Sequence, residues 1–530
     1  MKVLITDKIN EAAGKVLDGV AEVDFLPTMA EDELAEKIKD YDALMVRSQT
    51  KVTKKILDAA KNLKIVGRAG VGVDNIDIES ATQSGVIVVN SPDGNTNAAA
   101  EHTVALMMAM SRNIPAAVVS TKAGNWDRAK FTGVEVFGKT LGIIGFGKIG
   151  HHVAKAAIAL GMNVVVCDPY TTQEIVEKFG AKYVSNLDEF WGLCDYITVH
   201  TPKTKETAYL INKNTLNRMK KGVRIINCAR GGIIDEQALK EAIESGQVAS
   251  AAIDVFENEP NIKESSLINC EGNILLTPHL GASTKEAQFN VAIDVAEQIK
   301  EVLSGGSAKA AVNIPSLKPE ALEPVKDYMP LAQNLGELVS QISQGNLKSV
   351  QITVSGNLSE LNVAPLEIAV LKGLFSSMME SVNFVNAPII AKNRGINVVT
   401  SKSQKDCTYI GSIAIKLISD KGEYSVAGAL LAPDMPRIVT INEYNMSIEP
   451  DKHMLIVPHE NKPSMIAKVA AVIGDYNINV SRMHVAQKSG NKDNVSIMII
   501  NTESAVESET LEKIKQIDGI INAKYVSLNA

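Results

Sequence analysis

Three short stretches carry residue types that together could oxidise an alcohol: INCARGG with Arg230, DVFENEP with Glu259 and LLTPHLGAS with His279. Histidine titrates near neutrality, which suits it to take a hydroxyl proton. A carboxylate behind it would orient the ring and stabilise the imidazolium. An arginine can grip a substrate carboxylate with two parallel N–H donors and polarise the oxygen at the next carbon. A fourth stretch, LGIIGFGKIG, spaces Gly145, Gly147 and Gly150 as G-x-G-x-x-G. That pattern informs only in context. Here the strand-like TLGIIG precedes it, the helical KIGHHVAKAAIAL follows, and the next strand-like run, NVVVCD, ends at Asp168. Gly145 permits a tight turn, Gly147 lets backbone approach a pyrophosphate, and Gly150 allows helix to pack on strand. The helix start offers free N–H groups to that pyrophosphate. Asp168 would accept from ribose hydroxyls and repel a 2′-phosphate, so NAD is expected rather than NADP.

The elements that must position these residues are legible as alternation. Before residue 97, KVLIT, AEVDFL, DALMV, LKIVG and VIVVN alternate with helical patterns, which predicts a parallel sheet. NAAAEHTVALMMAM then predicts a helix capped by Asn97. The runs TLGIIG, NVVVCD, YITVHT, RIINCA, SAAIDV and NILLTP predict a second α/β series, with Arg230, Glu259 and His279 all following strand ends, where such sheets bind ligands. A long helix is expected to start near Ser283 and close the first unit. His102, His151 and His152 fall on helices and read as packing or surface residues. A Gly/Ser/Lys/Pro-rich linker leads to a mixed α/β segment, and the last 78 or so residues run β-α-β-β-α-β, a ferredoxin-like order. The expected division is 1–97 with 285–317, an inserted 98–284, then 318–450 and 451–530.

Composition excludes other classes. A net charge of −7 over 530 residues disfavours nucleic-acid and anionic-membrane partners. Five scattered cysteines without C-x-x-C argue against a disulfide framework or a metal site and fit a reducing cytoplasm. No apolar run is long enough to span a bilayer.

LGIIGFGKIG, INCARGGIIDEQAL, DVFENEP and TPHLGASTKEA closely resemble the D-isomer-specific 2-hydroxyacid dehydrogenases. The resemblance implies a Rossmann-like cofactor domain inserted in a flavodoxin-like substrate domain. It makes Arg230, Glu259 and His279 the catalytic residues, and it places Lys148, Ile149, Asp168, Thr201, Cys228, Ala229, Asp254 and Val71 along an NAD site. Val71 stands where relatives often carry a Thr or Ser. Extra cations beyond one carboxylate-binding arginine suggest a second anionic group, such as a phosphate. MVRSQT, GRAGVGVDNID, NSPDGNTNAAAEH and NWDRAKFTG look like those of the family's branch that acts on 3-phosphoglycerate, with Arg47, Gly70, Gly72, Asn95, Arg128 and Lys130 as substrate-side candidates. The tail resembles an amino-acid-binding ACT domain, which implies His459, Asn461 and Asn479 as an L-serine effector site and a homodimer or homotetramer. Where a Pro-Gly is common in its first loop, this chain has Pro463-Ser464. The rival readings are another D-2-hydroxyacid dehydrogenase and a non-catalytic NAD sensor on the same fold.

Overall fold

The computed structural model describes residues 1–314, 317–379, 382–404, 408–488 and 494–529. Short apolar strands buried on both faces, separated by helices, can only stack in parallel, and the first two sheets do so. The N-terminal sheet has the order Glu22–Phe25, Lys2–Ile5, Ala43–Val46, Ile65–Arg68, Ile87–Asn90, all parallel. This is the flavodoxin-like order 2-1-3-4-5. The second sheet has seven parallel strands in the order Ile274–Leu276, Val248–Ile253, Val223–Asn227, Tyr196–Val199, Thr140–Ile144, Asn163–Cys167, Lys182–Tyr183. Its switch point lies between Thr140–Ile144 and Tyr196–Val199, where a doubly wound sheet opens a crevice.

Two long helices join the sheets. Thr96–Ser111 buries Leu106, Met107 and Met110 against Leu141 and Ile143 of the second sheet and Val153 of the helix Lys148–Ala159. Its start differs from expectation: the cap position is Asn95, not Asn97, because Thr96 is already helical and Ala99 N–H bonds to Asn95 O. Lys285–Leu303, capped by the Thr284 hydroxyl, returns to the first sheet and packs Val291, Val295 and Ile299 against Val3, Ile5 and Ile65.

Beyond it, a six-stranded sheet runs Asn397–Ser403, Leu347–Gly356, Gly411–Ser419, Glu423–Leu430, Pro436–Ile441, Tyr444–Ile448, with only the first pair parallel. The helices Met329–Ile342 and Ala364–Ser376 cover it. The last sheet is fully antiparallel, in the order Val480–Gln487, Val495–Thr502, Met454–Glu460, Lys524–Val526. Alternation along its strands divides two faces. Leu455, Val457, Met498 and Ile500 meet the helices Met465–Asp475 and Ser508–Lys515. Met454, Ile456, Ile497, Ile499 and Val526 instead join Leu335, Leu338 and Val339 in the core of the preceding unit. The Lys524 ammonium caps that helix by donating to Ile342 O at 2.5 Å, and Asn529 donates to Glu337 through N (2.8 Å) and Nδ2 (2.6 Å). Among the described residues no single helix is long and apolar enough to cross a membrane.

Candidate active site

The glycine loop behaves as its residues require. Gly145 has φ +93°, and a Cβ there would meet His200 O at 2.5 Å. A Cβ on Gly150 would stand 2.3 Å from Gly145 O, whereas one on Gly147 would meet nothing, so Gly147 faces open space. The helices Thr96–Ser111 and Lys148–Ala159 both start without a side-chain cap, at Asn95 and Gly147. Both starts open on one cleft of about 570 Å³ lined by Asp93, Thr96, Asn97, Gly147, Lys148, His151 and His152. Two free helix N-termini suit a pyrophosphate. At the end of the strand Asn163–Cys167, Asp168 accepts Phe146 N–H at 2.5 Å on one oxygen and Tyr170 N–H at 2.7 Å on the other. Each oxygen keeps a lone pair for a ribose hydroxyl. Thr201 Oγ1 and Asn95 Oδ1 are buried without a protein partner. These features fit a bound dinucleotide.

Ile149 and Ala229 are half-buried beside the sheet, and Val71 O accepts from Asn90 Nδ2 at 2.5 Å. Burial pushes the Cys228 thiol up to about 12, against a hydrogen bond from Thr103, so it stays protonated. Lys148 is ion-paired with Asp93, which ties the cofactor loop to the end of the first sheet.

Glu259 and His279 meet. His279 Nδ1 lies 2.6 Å from Glu259 Oε2, and Glu259 Oε1 accepts Phe256 N–H at 2.8 Å. The carboxylate is therefore held from behind while it holds the ring, leaving Nε2 to face outward. Arg230 stands against the first domain. Its Nε is 3.4 Å from Asp74 Oδ2, and its Nη1 donates to Ala229 O at 2.7 Å. A Cβ on Gly72 would lie 2.3 Å from its Nη2, so a glycine is needed for the guanidinium to pass. Arg68 curls over Gly70, and burial, with Arg230 and Arg47 close by, pushes its guanidinium down to about 10. Its Nε is buried without a partner. Arg47 is anchored through its backbone, N–H to Asp7 (2.7 Å) and C=O from Asn75 (2.7 Å). Three arginines thus crowd one mouth, an arrangement that only anions relieve.

Models of three families match the chain: the D-isomer specific 2-hydroxyacid dehydrogenase NAD binding domain over 104–281, the D-3-phosphoglycerate dehydrogenase intervening domain over 324–442, and the ACT domain over 453–519. The D-3-phosphoglycerate dehydrogenase of Synechocystis sp. is 46% identical over 99% of this chain and 95% of its own length. The chain belongs to the D-3-phosphoglycerate dehydrogenase family. The member from Methanocaldococcus jannaschii is 44% identical over the whole of both chains. Among solved structures, a D-lactate dehydrogenase from Aquifex aeolicus, in complex with NAD and lactic acid, is similar at 27% identity and a TM-score of 0.51, over 57% of this chain and 96% of that one.

Two groups of candidates of this family member stand apart from the cleft. Arg128 and Lys130 lie on the exposed turn Arg128–Phe131, and among the described residues no bond links them to Arg230 or His279. They flank an apolar surface of Ile114, Val118, Val119 and Trp126, the last 81% exposed. In the ACT domain, His459 is 3% exposed; its Nδ1 bonds to Glu460 O at 2.8 Å and its Nε2 is buried without a partner. Asn461 is exposed, and Asn479 Nδ2 donates to Glu503 at 3.0 Å. Ser464 takes the left-handed turn itself, at φ +70°.

Of the three histidines expected as packing or surface residues, His151 and His152 line the cleft. His151 stacks on Phe146 with ring centroids 3.9 Å apart. His102 meets Asp254 and Thr277.

Proposed function

We propose that the chain oxidises 3-phospho-D-glycerate to 3-phosphohydroxypyruvate with NAD, the first step of the phosphorylated route to L-serine. The observations that carry this are the His279–Glu259 pair and the cluster of Arg230, Arg68 and Arg47, with Arg230, Glu259 and His279 each following one of three adjacent parallel strands. A 2-hydroxy acid bearing a phosphate presents two anionic ends, and the arginine cluster provides for both. When bound, NAD supplies the hydride acceptor for the carbinol carbon. His279 Nε2 takes the hydroxyl proton, while Glu259 on Nδ1 balances the charge that the ring gains. Arg230 exchanges Asp74 for the substrate carboxylate, which its fork geometry suits, and polarises the neighbouring oxygen. Arg47 and Arg68 meet the phosphate, with Gly70, Gly72 and Asn95 shaping the approach.

The same reading takes the domain limits given above and places the protein in the cytoplasm with its thiols reduced. It assigns L-serine to His459, Asn461 and Asn479, and it makes the protein a homodimer or homotetramer that covers the surface around Trp126. The decisive experiment follows NADH formation with 3-phosphoglycerate, glycerate and lactate, with and without L-serine. Turnover confined to the phosphorylated acid is expected. Preference for glycerate or lactate would move the chain to another hydroxyacid, and no turnover on any would make it an NAD sensor.

A further inference from the structure

Asp254 is 0% exposed, and its carboxylate gathers donors from one short segment. Thr277 Oγ1 donates to Oδ1 at 2.6 Å, Leu280 N–H to Oδ1 at 2.8 Å, and Gly281 N–H to Oδ2 at 2.9 Å. Its backbone C=O also receives His279 N–H at 2.9 Å. The segment that carries His279 is thus wrapped around one buried charge. His279 itself sits at φ +54°, a conformation that a non-glycine residue keeps only when its surroundings hold it.

One further donor comes from elsewhere in the chain. His102, on the helix Thr96–Ser111, brings Nε2 to 3.2 Å from Asp254 Oδ1 and 3.4 Å from Thr277 Oγ1. We infer that His102 is a positioning residue for the reaction: its Nε2–H clamps the Asp254 carboxylate, and through it the 277–281 segment, so that His279 stays seated on Glu259. The inference rests on the dehydrogenase reading above. Burial raises the Asp254 carboxyl, and the hydrogen bonds of His102, Thr277 and Leu280 more than reverse this, leaving it below the ordinary carboxylate range. Remove the imidazole and a buried carboxylate loses one of its donors. The segment can then relax from its left-handed turn, and the catalytic ring moves with it.

The test compares His102→Leu with His102→Gln, whose amide nitrogen can reach the place of Nε2. With 3-phosphoglycerate and NAD, kcat should fall by about tenfold in the Leu variant, the range for a lost hydrogen bond to a charged group, and should largely return in the Gln variant. Histidine-ring NMR without substrate gives a second readout: the His279 signal, identified by its loss in His279→Ala, should shift in Leu and return in Gln. An unchanged kcat and His279 signal in Leu, or a Gln variant as impaired as Leu, overturns the inference. Because the ring signal needs no turnover, a wild-type protein inactive on 3-phosphoglycerate would sink the functional reading while the signal still decides the clamp. If Leu fails to fold, His102→Met takes its place as the variant without a donor and is read against Gln in the same two measurements.

Discussion

Glu259→Gln isolates the contribution of charge behind the catalytic ring. The amide is isosteric, and its oxygen can still accept the Phe256 N–H that Glu259 Oε1 accepts at 2.8 Å. What disappears is the negative oxygen 2.6 Å from His279 Nδ1. A hydrogen bond to a charged group contributes about 1.5–3 kcal/mol, and each 1.36 kcal/mol is about tenfold in rate. The bond matters most after His279 has taken the proton, so the loss should fall on kcat. Side-chain exposures of 48% for His279 and 32% for Glu259 let solvent screen part of the charge. That favours the low end, about tenfold. The assay is initial-rate NADH formation over a range of 3-phosphoglycerate, with a thermal melt of each variant. A Gln variant with wild-type kcat would refute the reasoning. So would a loss confined to KM, since that would make Glu259 a binding residue.

Arg230→Lys keeps the charge but not the fork that a carboxylate needs, so the KM for the acid should rise by about tenfold or more; steady-state kinetics checks this. Asp168→Ser should narrow the preference for NAD over NADP while weakening NAD binding, because the bonds from Phe146 and Tyr170 are lost with the carboxylate; titration with both dinucleotides reads it. Ser464→Gly should stabilise the ACT domain by about 1 kcal/mol, since φ +70° strains serine and not glycine; differential melting tests it. Burial holds His200 neutral, down to about 4. Between that value and the ordinary one near 6.5 the unfolded chain binds a proton that the folded chain refuses, so stability should fall as pH drops through this window. Denaturant titrations should show this slope in wild type and a flatter one in His200→Gln.

Local chemistry was legible and long-range contact was not. LGIIGFGKIG declares strand, turn and helix within ten residues, and the structure keeps all three. Glu259 and His279 could be paired from sequence because each follows a strand of one parallel sheet. The cap of Thr96–Ser111 was misplaced by two residues because Asn95 and Asn97 are equally good cap types, and only the backbone tells them apart. Helical spacing shows which residues share a face, not what that face meets, so the contact of His102 with Thr277, 175 residues away, has no signature in the sequence. The 318–450 segment was read as mixed α/β, but its one parallel pair, Leu347–Gly356 with Asn397–Ser403, has no local signature.

The C-terminal part carries two domain names and one interior. Because Met454, Ile456, Ile499 and Val526 share a core with Leu335, Leu338 and Val339, neither piece can be lifted out alone. A chain stopped at 450 would expose one wall of the Met329–Ile342 helix and lose the lysine that closes its end. An ACT domain expressed by itself would show water the apolar back of its sheet. The pair is not walled off from the first sheet either, because Ala308, Ala311 and Ile314, just after Lys285–Leu303, and Ile368 and Val385 beyond them share its core.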